Sequence, residues 1–583
     1  MLTRLYFCAS MRFPIVAAIV SGLLLGVAYQ FIGVLGFIAY VPLLVVMAKQ
    51  ETVGLWRKVG MLYIPFFLYH AIANWWICSW QERTDPYLFA SGIALAIGHP
   101  FFLMLPFLFL SSVRKRAGTA VMFLTAPLFI TGFEWLHGQT DASYPWLSIG
   151  YMLTQTPWGQ LAEFVGVYGL TFLLAAVNST IAWWVLHRST IRRPLVVPVS
   201  LVVALFGLAI LGFVRGQSFR NPDAKNSFTV TIVQPNLDPW DKWMSGWGNV
   251  LSHERVVDSL RTARPGHDLG LLVWPETAIP YSIRRSLYKS EWDALRSWVD
   301  TSGKALLTGF ADYVVYPSGN APPSARRSKL TPSLRYDTFN AAIIIPARPL
   351  IVDSAGQASR DALAIGPSTH AVNSNSDTVS NVHRKSMLTP FAERLPFADQ
   401  LTFAMSWIEW GVGISAWGKG TTRLPLQYTD SVSIGTIICI ESIYPEVARD
   451  MVLNGANVLC VITNDAWYNG TWGPQQHYNI ARMRAIEQRR PLIRCAMSGV
   501  SGVINPDGTS NTAILAQCPP QTRGAITASI TPRNTETFYA RFGQPWAPVA
   551  LILSFLAFIA TRFPSLIRKM QVRFTSKPQK EQV

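Results

Sequence analysis

Ile438-Cys439-Ile440-Glu441 closes an apolar, β-branched run, so a thiol sits at the end of a strand, where α/β folds present their reactive groups. A free thiol ionises near ~8.5, so a neighbouring base is needed to make thiolate at neutral pH. Val273-Trp274-Pro275-Glu276-Thr277-Ala278 ends another such run with a carboxylate, after a proline that stops the ladder and turns the chain. Between them, Arg384-Lys385-Ser386-Met387-Leu388-Thr389-Pro390-Phe391-Ala392-Glu393 places a lysine five residues before a Pro-Phe turn. The three groups suit acyl transfer. Glu276 takes the thiol proton, Cys439 attacks an ester carbonyl, and Lys385 with the backbone N–H of Ile440 holds the oxyanion. The thioester so formed is open to an amine but is lost to water, which favours an apolar, lipid-facing site.

The six cysteines are Cys8, Cys78, Cys439, Cys460, Cys495 and Cys518. None forms a CxxC pair and no His/Cys spacing suggests zinc, so neither a metal nor another cofactor is expected. Cys460 and Cys495 lie within apolar runs and read as small buried hydrophobes.

The elements that carry these groups are of two kinds. Only 14% of the 583 residues are charged and 50% are hydrophobic, with mean hydropathy +0.24. That excludes disorder, collagen and small disulfide scaffolds, and argues against a string of soluble domains. Residues 13–48 carry no charge, long enough for two crossings, and further uncharged stretches run 59–81, 87–113, 117–133, 164–186, 194–214 and 542–561. Eight transmembrane helices are expected, seven before residue 215 and one near the C-terminus, with no cleaved signal peptide. Lys and Arg gather at the N-terminus, near 49–58, 114–116 and 188–193, and in the tail, whereas the loops 82–86 and 134–163 hold only Arg83. Both termini are therefore expected in the cytoplasm and the segment after the seventh span outside. The net charge of +17 then reflects topology and anionic lipid, not nucleic acid.

Residues 219–541 alternate strand and helix signals. Apolar runs fall at 227–233, 269–273, 304–308, 339–346, 431–440 and 456–463, and helical patterns at 247–263, 286–302 and 474–490. This predicts an α/β sandwich, with 315–335 and 354–381 as surface loops or disorder. The expected division is a membrane bundle over 1–218, an extracytoplasmic catalytic domain over 219–541, and an eighth span with a basic tail over 542–583. His70, in the third span, reads as a satisfied polar residue, and Arg482 and Arg484 as ion-pair partners on a helix face.

WPE, then KxxLxPFxE, then CxE resembles the Glu-Lys-Cys triad of the nitrilase superfamily, and in detail its membrane branch, the apolipoprotein N-acyltransferase family. Val233-Gln234 with Trp243, Arg335-Tyr336-Asp337-Thr338, Asn464-Asp465-Ala466-Trp467, Gly473-Pro474 through His477, and Ala481-Arg482-Met483-Arg484-Ala485 match as well. Departures are His383 and Met387 beside the lysine, Ala392 within PFAE, and Ile440 after the cysteine. The resemblance implies an αββα sandwich on a multi-pass bundle in a bacterial inner membrane, with the catalytic domain periplasmic. It implies a phospholipid acyl donor, phosphatidylethanolamine, and a diacylglyceryl apolipoprotein whose N-terminal amine is acylated by a monomeric enzyme. Glu393 and Glu441 are expected to hold Lys385 and tune Glu276. Trp243 and Trp467 either line the acyl or headgroup cavity or pack as ordinary aromatics.

Residues 395–418 hold three Trp and two Phe with two acidic groups, Asp399 and Glu409. They read as core or as a mobile membrane arm, with Trp407 and Trp410 at headgroup level and the flanking glycines as hinges. Two rival classes remain: a membrane-tethered amidase whose thioester is hydrolysed, and a transporter with an outside sensing domain. Eight spans exceed what an anchor requires, and spans almost free of charge argue against transport.

Overall fold

The computed structural model describes residues 2–563 apart from 50–53, 81–85, 221–225, 264, 267, 317–318, 329–330, 332, 349, 353–357, 361–380, 402–416, 511–516 and 519–521. The chain forms two compact units: Met1–Cys78, Gly92–Phe213 and Gln544–Val583 in one, Ser79–Ser91 and Val214–Gly543 in the other.

The first unit is helical: α1 (Leu2–Gln30), α2 (Val41–Lys49), α3 (Leu55–Ala73), α4 (Pro86–Ala117), α5 (Thr119–His137), α6 (Ala162–His187), α7 (Val196–Ser218) and α14 (Trp546–Ala560). Among the described residues, five helices are long and apolar enough to cross a membrane, and Gly33–Lys49 and Trp546–Ala560 are shorter apolar helices. The charge-free stretch 13–48 thus divides unequally. α1 uses half of it, then a 3₁₀ turn, Gly33–Phe37, leads to the nine-residue α2. Gly33 opens that turn at a point where any side chain would strike the Met152 carbonyl, so the position takes only glycine. Gly22 and Gly26, four apart on α1, bring α3 close: a Cβ on Gly22 would lie 2.8 Å from that of Leu68, and one on Gly26 2.6 Å from that of Ile72.

The stretch 134–163, expected as a short outer loop, is instead packed into this unit. Its 3₁₀ turns, Pro145–Leu147 and Ile149–Leu153, are buried. Backbone without helix or sheet bonds must find partners when buried. The hydroxyls of Tyr29 and Tyr69 donate to the Trp146 and Leu147 carbonyls, and the N–H groups of Ile149 and Gly150 donate to Glu134 and Thr171. His70 is satisfied as expected, within a chain of three histidines. The backbone N–H of Tyr144 donates to His137 Nε2 (3.1 Å), which makes that nitrogen an acceptor. His99 Nε2 therefore donates to it (2.7 Å), His70 Nε2 donates to His99 Nδ1 (2.8 Å), and Asn74 donates to His70 Nδ1 (3.3 Å). Tyr144 closes the loop with its hydroxyl on Asn74 Oδ1.

The second unit holds helices α8 (Pro239–Met244), α9 (Trp247–Ala263), α10 (Lys289–Ser302), α11 (Pro445–Leu453), α12 (Gly473–Gln488) and α13 (Phe538–Phe542). Its strands are β1 (Phe228–Gln234), β2 (Leu271–Val273), β3 (Leu306–Tyr316), β4 (Arg326–Arg327), β5 (Arg335–Ile345), β6 (Leu350–Val352), β7 (Ala358–Arg360), β8 (Val382–Arg384), β9 (Leu426–Thr429), β10 (Val432–Ile438), β11 (Val458–Thr463), β12 (Leu492–Ala496), β13 (Ser501–Ile504), β14 (Gln517–Cys518) and β15 (Gly524–Ile530). One sheet runs β15-β1-β2-β3-β5-β4 with β8 on β5, the other β14-β13-β12-β11-β10-β9, and β6 and β7 form a separate hairpin. Strands β1-β2-β3 and β10-β11-β12 are parallel at the two sheet centres, with antiparallel edges.

Alternation builds two cores. Val230, Ile232, Leu271 and Val273 meet Ile434, Val458, Cys460 and Cys495 of the other sheet. Their neighbours Val233, Leu272 and Trp274 face the helices α9 and α10 through Val257, Leu295 and Val299. Each fully buried aliphatic side chain contributes about 1.5–3 kcal/mol. On the outer face of the second sheet, Gly435 lets α11 approach, since its Cβ would lie 2.8 Å from that of Met451. The layers are helix, sheet, sheet, helix. Among the described residues of 315–335, β4 adds to the sheet edge and Arg335 Nη2 donates to the carbonyls of Pro323 and Ala325. Most of 354–381 lies outside the described residues.

Candidate active site

Parallel strands deliver their C-terminal ends to one edge of each sheet, and three of the predicted groups start there. Glu276 follows β2 after Trp274-Pro275, in a turn held by the Gly309 N–H on the Pro275 carbonyl (3.2 Å) and by a left-handed Thr277, φ 45°. Gly309 must be glycine, because a side chain would strike the Thr277 nitrogen. Lys385 follows β8, its N–H donating to the Asn340 carbonyl at 2.8 Å. Cys439 ends β10 and opens the 3₁₀ turn Cys439–Ile443 with φ +52°. An L-residue in that region is strained by about 1–2 kcal/mol, a feature that clusters at functional sites.

Lys385 lies between two carboxylates. Its Nζ is 3.2 Å from Glu276 Oε1 and 2.8 Å from Glu393 Oε1, and all three side chains are largely buried. Asn340 Nδ2 donates to the same two oxygens, at 2.7 and 3.2 Å. Glu393 turns its other oxygen to the N–H and hydroxyl of Thr389, 2.8 and 3.0 Å away. Burial alone would lower the Lys385 pKa, but Glu276 and Glu393 outweigh it and hold the ammonium charged well above the ordinary range. The thiol moves the other way. Burial and then the Glu276 charge push Cys439 far up, against the pull of Lys385. Cys439 is therefore a protonated thiol at rest, and ionises only when its proton is taken.

Glu441 differs from its expected role. Its Oε1 accepts from the Ser386 N–H (2.6 Å) and hydroxyl (2.7 Å) and from the Met387 N–H (3.3 Å), while Oε2 faces the Ile438 N–H (2.8 Å) and His383 Nε2 (3.1 Å). It clamps the residues flanking Lys385 to the cysteine turn rather than holding the ammonium itself. Burial would raise this carboxyl, but His383 and the donors hold it down at about 2.

A second charged group backs the turn. His477 Nδ1 donates to Asp465 Oδ1 (2.8 Å), and its Nε2 lies 2.7 Å from Ser442 Oγ and 3.1 Å from the Cys439 carbonyl oxygen. Arg494 Nη2 meets Asp465 Oδ2 at 2.7 Å, and with His477 it outweighs burial and holds Asp465 well below the usual carboxylate range.

The other predicted residues are placed unevenly. Ile440 is buried next to the cysteine. Trp467 is half-buried and packs edge-on to Trp240, ring centroids 5.9 Å apart. Trp243 lies on α8, and only its backbone is described. Trp407 and Trp410 lie outside the described residues. Arg484 forms the expected ion pair, with Glu487 at 3.1 Å, both buried. Sequence reasoning assigned no role to Asn340, Thr389, Asp465, His477 or Lys242. Asn340 had a signal: an amide inside the apolar run 339–346 must find a buried partner. Lys242 had none beyond its place between Trp240 and Trp243.

A carbon-nitrogen hydrolase family model matches residues 229–539, and the apolipoprotein N-acyltransferase N-terminal domain matches residues 21–180. The apolipoprotein N-acyltransferase of Chlorobaculum tepidum is 32% identical over 549 residues, covering 90% of this chain and 92% of that protein. That of Geobacter metallireducens is 26% identical over 567 residues, covering 95% and 96%. The crystal structure of Saccharomyces cerevisiae Nit3, of the nitrilase superfamily, aligns at 17% identity over 55% of this chain and 96% of that one, with a TM-score of 0.34. With a buried Glu-Lys-Glu cluster beside a strand-end cysteine, a carbon-nitrogen hydrolase domain and a helical partner region matched along most of its length, the chain belongs to the apolipoprotein N-acyltransferase family.

Proposed function

We propose that this protein moves an acyl chain from a phospholipid to the N-terminal amine of a diacylglyceryl-cysteine lipoprotein through a thioester on Cys439. The observation that carries the reading is the Glu276–Lys385–Glu393 cluster beside Cys439 in a chain of this family. Glu276 takes the Sγ proton as sulfur attacks the ester carbonyl, and Lys385 with the Ile440 N–H stabilises the oxyanion. Collapse breaks the ester C–O bond, and the lysophospholipid leaves with the proton from Glu276. The incoming amine then attacks the thioester as Glu276 takes its proton, the C–S bond breaks as the amide forms, and Glu276 passes that proton to the departing sulfur, which restores the Cys439 thiol. A raised thiol pKa suits this order, since sulfur becomes nucleophilic only as Glu276 acts.

The helices of the first unit are proposed as eight crossings of a bacterial inner membrane, with termini cytoplasmic and the αββα domain periplasmic. The domains are 1–218, 219–541 and 542–583, the donor is phosphatidylethanolamine, and the enzyme works as a monomer. Trp243 and Trp467 line the lipid path, and Trp407 and Trp410 meet the bilayer. Intact-mass analysis after incubation with phosphatidylethanolamine tests the chemistry. An acyl adduct on Cys439, discharged by a diacylglyceryl peptide, is expected. Release of free fatty acid with no transfer to the peptide would favour a hydrolytic amidase-type reaction, and no adduct at all would remove the thioester.

A further inference from the structure

Lys242 is a second lysine in the same buried site. It lies on α8, whose first turn is set by the Asp238 side chain accepting from the Trp240 N–H and by Pro239. Only 2% of Lys242 is exposed, and its Nζ donates to the hydroxyl of Thr277, the residue that follows Glu276. The left-handed Thr277 turns that hydroxyl toward α8 while Glu276 faces Lys385. A buried ammonium costs several kcal/mol unless negative charge compensates it. The groups acting on it are Glu276 and Cys439, which favour its charge, and Lys385, which opposes it.

The charges around Cys439 are Glu276 and Glu393, Lys385, and Asp465 with its partners Arg494 and His477. On α9, His253 also senses Lys242, and burial pushes its pKa down to about 4, so it adds no charge at neutral pH. Asp465 is already matched by Arg494. Glu276 and Glu393 would thus share Lys385 alone if Lys242 were absent. When the proton moves from sulfur to Glu276, the negative charges become thiolate and Glu393, again with one ammonium between them.

We infer that Lys242 is the second cation of this site, a positioning residue that acts through Glu276 and Cys439 by matching the second negative charge before and after proton transfer. This rests on the role proposed for Cys439. It requires Lys242 to be charged in the working enzyme: burial pushes its pKa down, but with Glu276 and Cys439 favouring the charge it stays at about 8, so the ammonium is mostly protonated at neutral pH. Lys385 orients the carboxylates, and Lys242 makes the thiolate easier to form.

The test is the alkylation rate of Cys439 by iodoacetamide from about pH 6 to about pH 10, read by peptide mass spectrometry on the full-length protein in detergent. Half-buried Cys78, in the helical unit, is the internal control. Lys242→Gln keeps a donor for Thr277 but loses the charge. Below about pH 8, where Lys242 carries its charge, Cys439 in this variant should react about tenfold more slowly than in the native protein, and the two rates should converge towards about pH 10. Lys242→Arg keeps the charge and should stay within about threefold of the native rate. A Lys242→Gln curve that superimposes on the native one, or equal slowing by Gln and Arg, would overturn the inference. If Lys242→Gln does not fold, Thr277→Val takes its place: a shift in the same direction supports the role, and an unchanged curve ends it. Alkylation needs no acyl donor, so absence of an acyl adduct would count against the proposed function without deciding the role of Lys242.

Discussion

Glu441 Oε2 lies 3.1 Å from His383 Nε2, with neither side chain open to solvent, and this pair joins the cysteine turn to the lysine segment. The other oxygen, Oε1, binds Ser386 and Met387 on the far side of Lys385. The segments that carry Cys439 and Lys385 are thereby held in register by one buried carboxylate.

Removing that carboxylate should separate them. Glu441→Ala leaves His383 and three N–H donors buried without their acceptor, at a cost of about 3–5 kcal/mol, and acyl-enzyme formation should fall with it. Differential scanning calorimetry and intact-mass kinetics read the two effects.

Acid should undo the same clamp. The folded pKa of Glu441 is about 2 against 4.5 for the free side chain, so its contribution is complete above about 4.5 and fades as pH falls towards 2. A depressed carboxyl binds fewer protons folded than unfolded, so stability must drop in that window, by about 3 kcal/mol from Glu441 alone. Asp465 acts with the same sign. Chemical denaturation at pH values across that range should show Glu441→Gln losing less stability on acidification than the native protein.

Cys439→Ala should abolish acyl-enzyme and transfer while leaving the fold intact, and Cys439→Ser should be nearly inactive because a carboxylate is too weak a base for an alcohol. The φ of +52° adds a sharper expectation. Cys439→Gly, equally inactive, should be more stable than Cys439→Ala by about 1 kcal/mol, because glycine accepts the left-handed backbone without strain. Thermal unfolding of the two variants side by side decides this.

Glu276→Gln should stop thioester formation, since an amide cannot take the thiol proton. Lys385→Arg should fail too, because a planar guanidinium cannot take the place of a compact ammonium 3.2 and 2.8 Å from two carboxylates. Glu393→Gln should fold and retain trace activity, slowed about 10²-fold, as it loosens Lys385 without touching sulfur. Single-turnover mass spectrometry with phosphatidylethanolamine separates the three.

In the helical unit, His99→Leu should strand His70 Nε2 and remove one donor from His137. An unsatisfied buried polar group costs about 1–3 kcal/mol, so the variant should unfold at lower temperature in detergent while the chemistry of Cys439, in the other unit, persists. Loss of thioester formation at unchanged stability would give this histidine chain a role beyond structure.

Much of the molecule was readable from local pattern. Apolar, β-branched runs at 227–233, 431–440 and 456–463 became β1, β10 and β11, and the helical patterns at 247–263 and 286–302 became α9 and α10, because residue type and apolar spacing are local properties that favour one kind of element. Glu276, Lys385 and Cys439 could be singled out as candidates because WPE, KxxLxPFxE and CxE are short local motifs, and strand ends and proline turns gave them a place in the fold. Their surroundings could not be found, because they are built from hydrogen bonds between distant residues. Glu441 reaches Ser386 across 55 positions and His383 across 58, and Asn340 meets Glu276 across 64. The stretch 134–163 shows the same limit. It looks like an exposed loop, yet it is buried because Tyr29 and Tyr69, 117 and 78 residues from the carbonyls they bind, satisfy its backbone. Periodicity and turn chemistry are written in neighbouring residues. Which buried donor finds which acceptor, and so where charge is balanced around Cys439, was decided only when the strands paired and the layers closed, because an unpaired polar group is costly enough inside the protein to select one arrangement over the others.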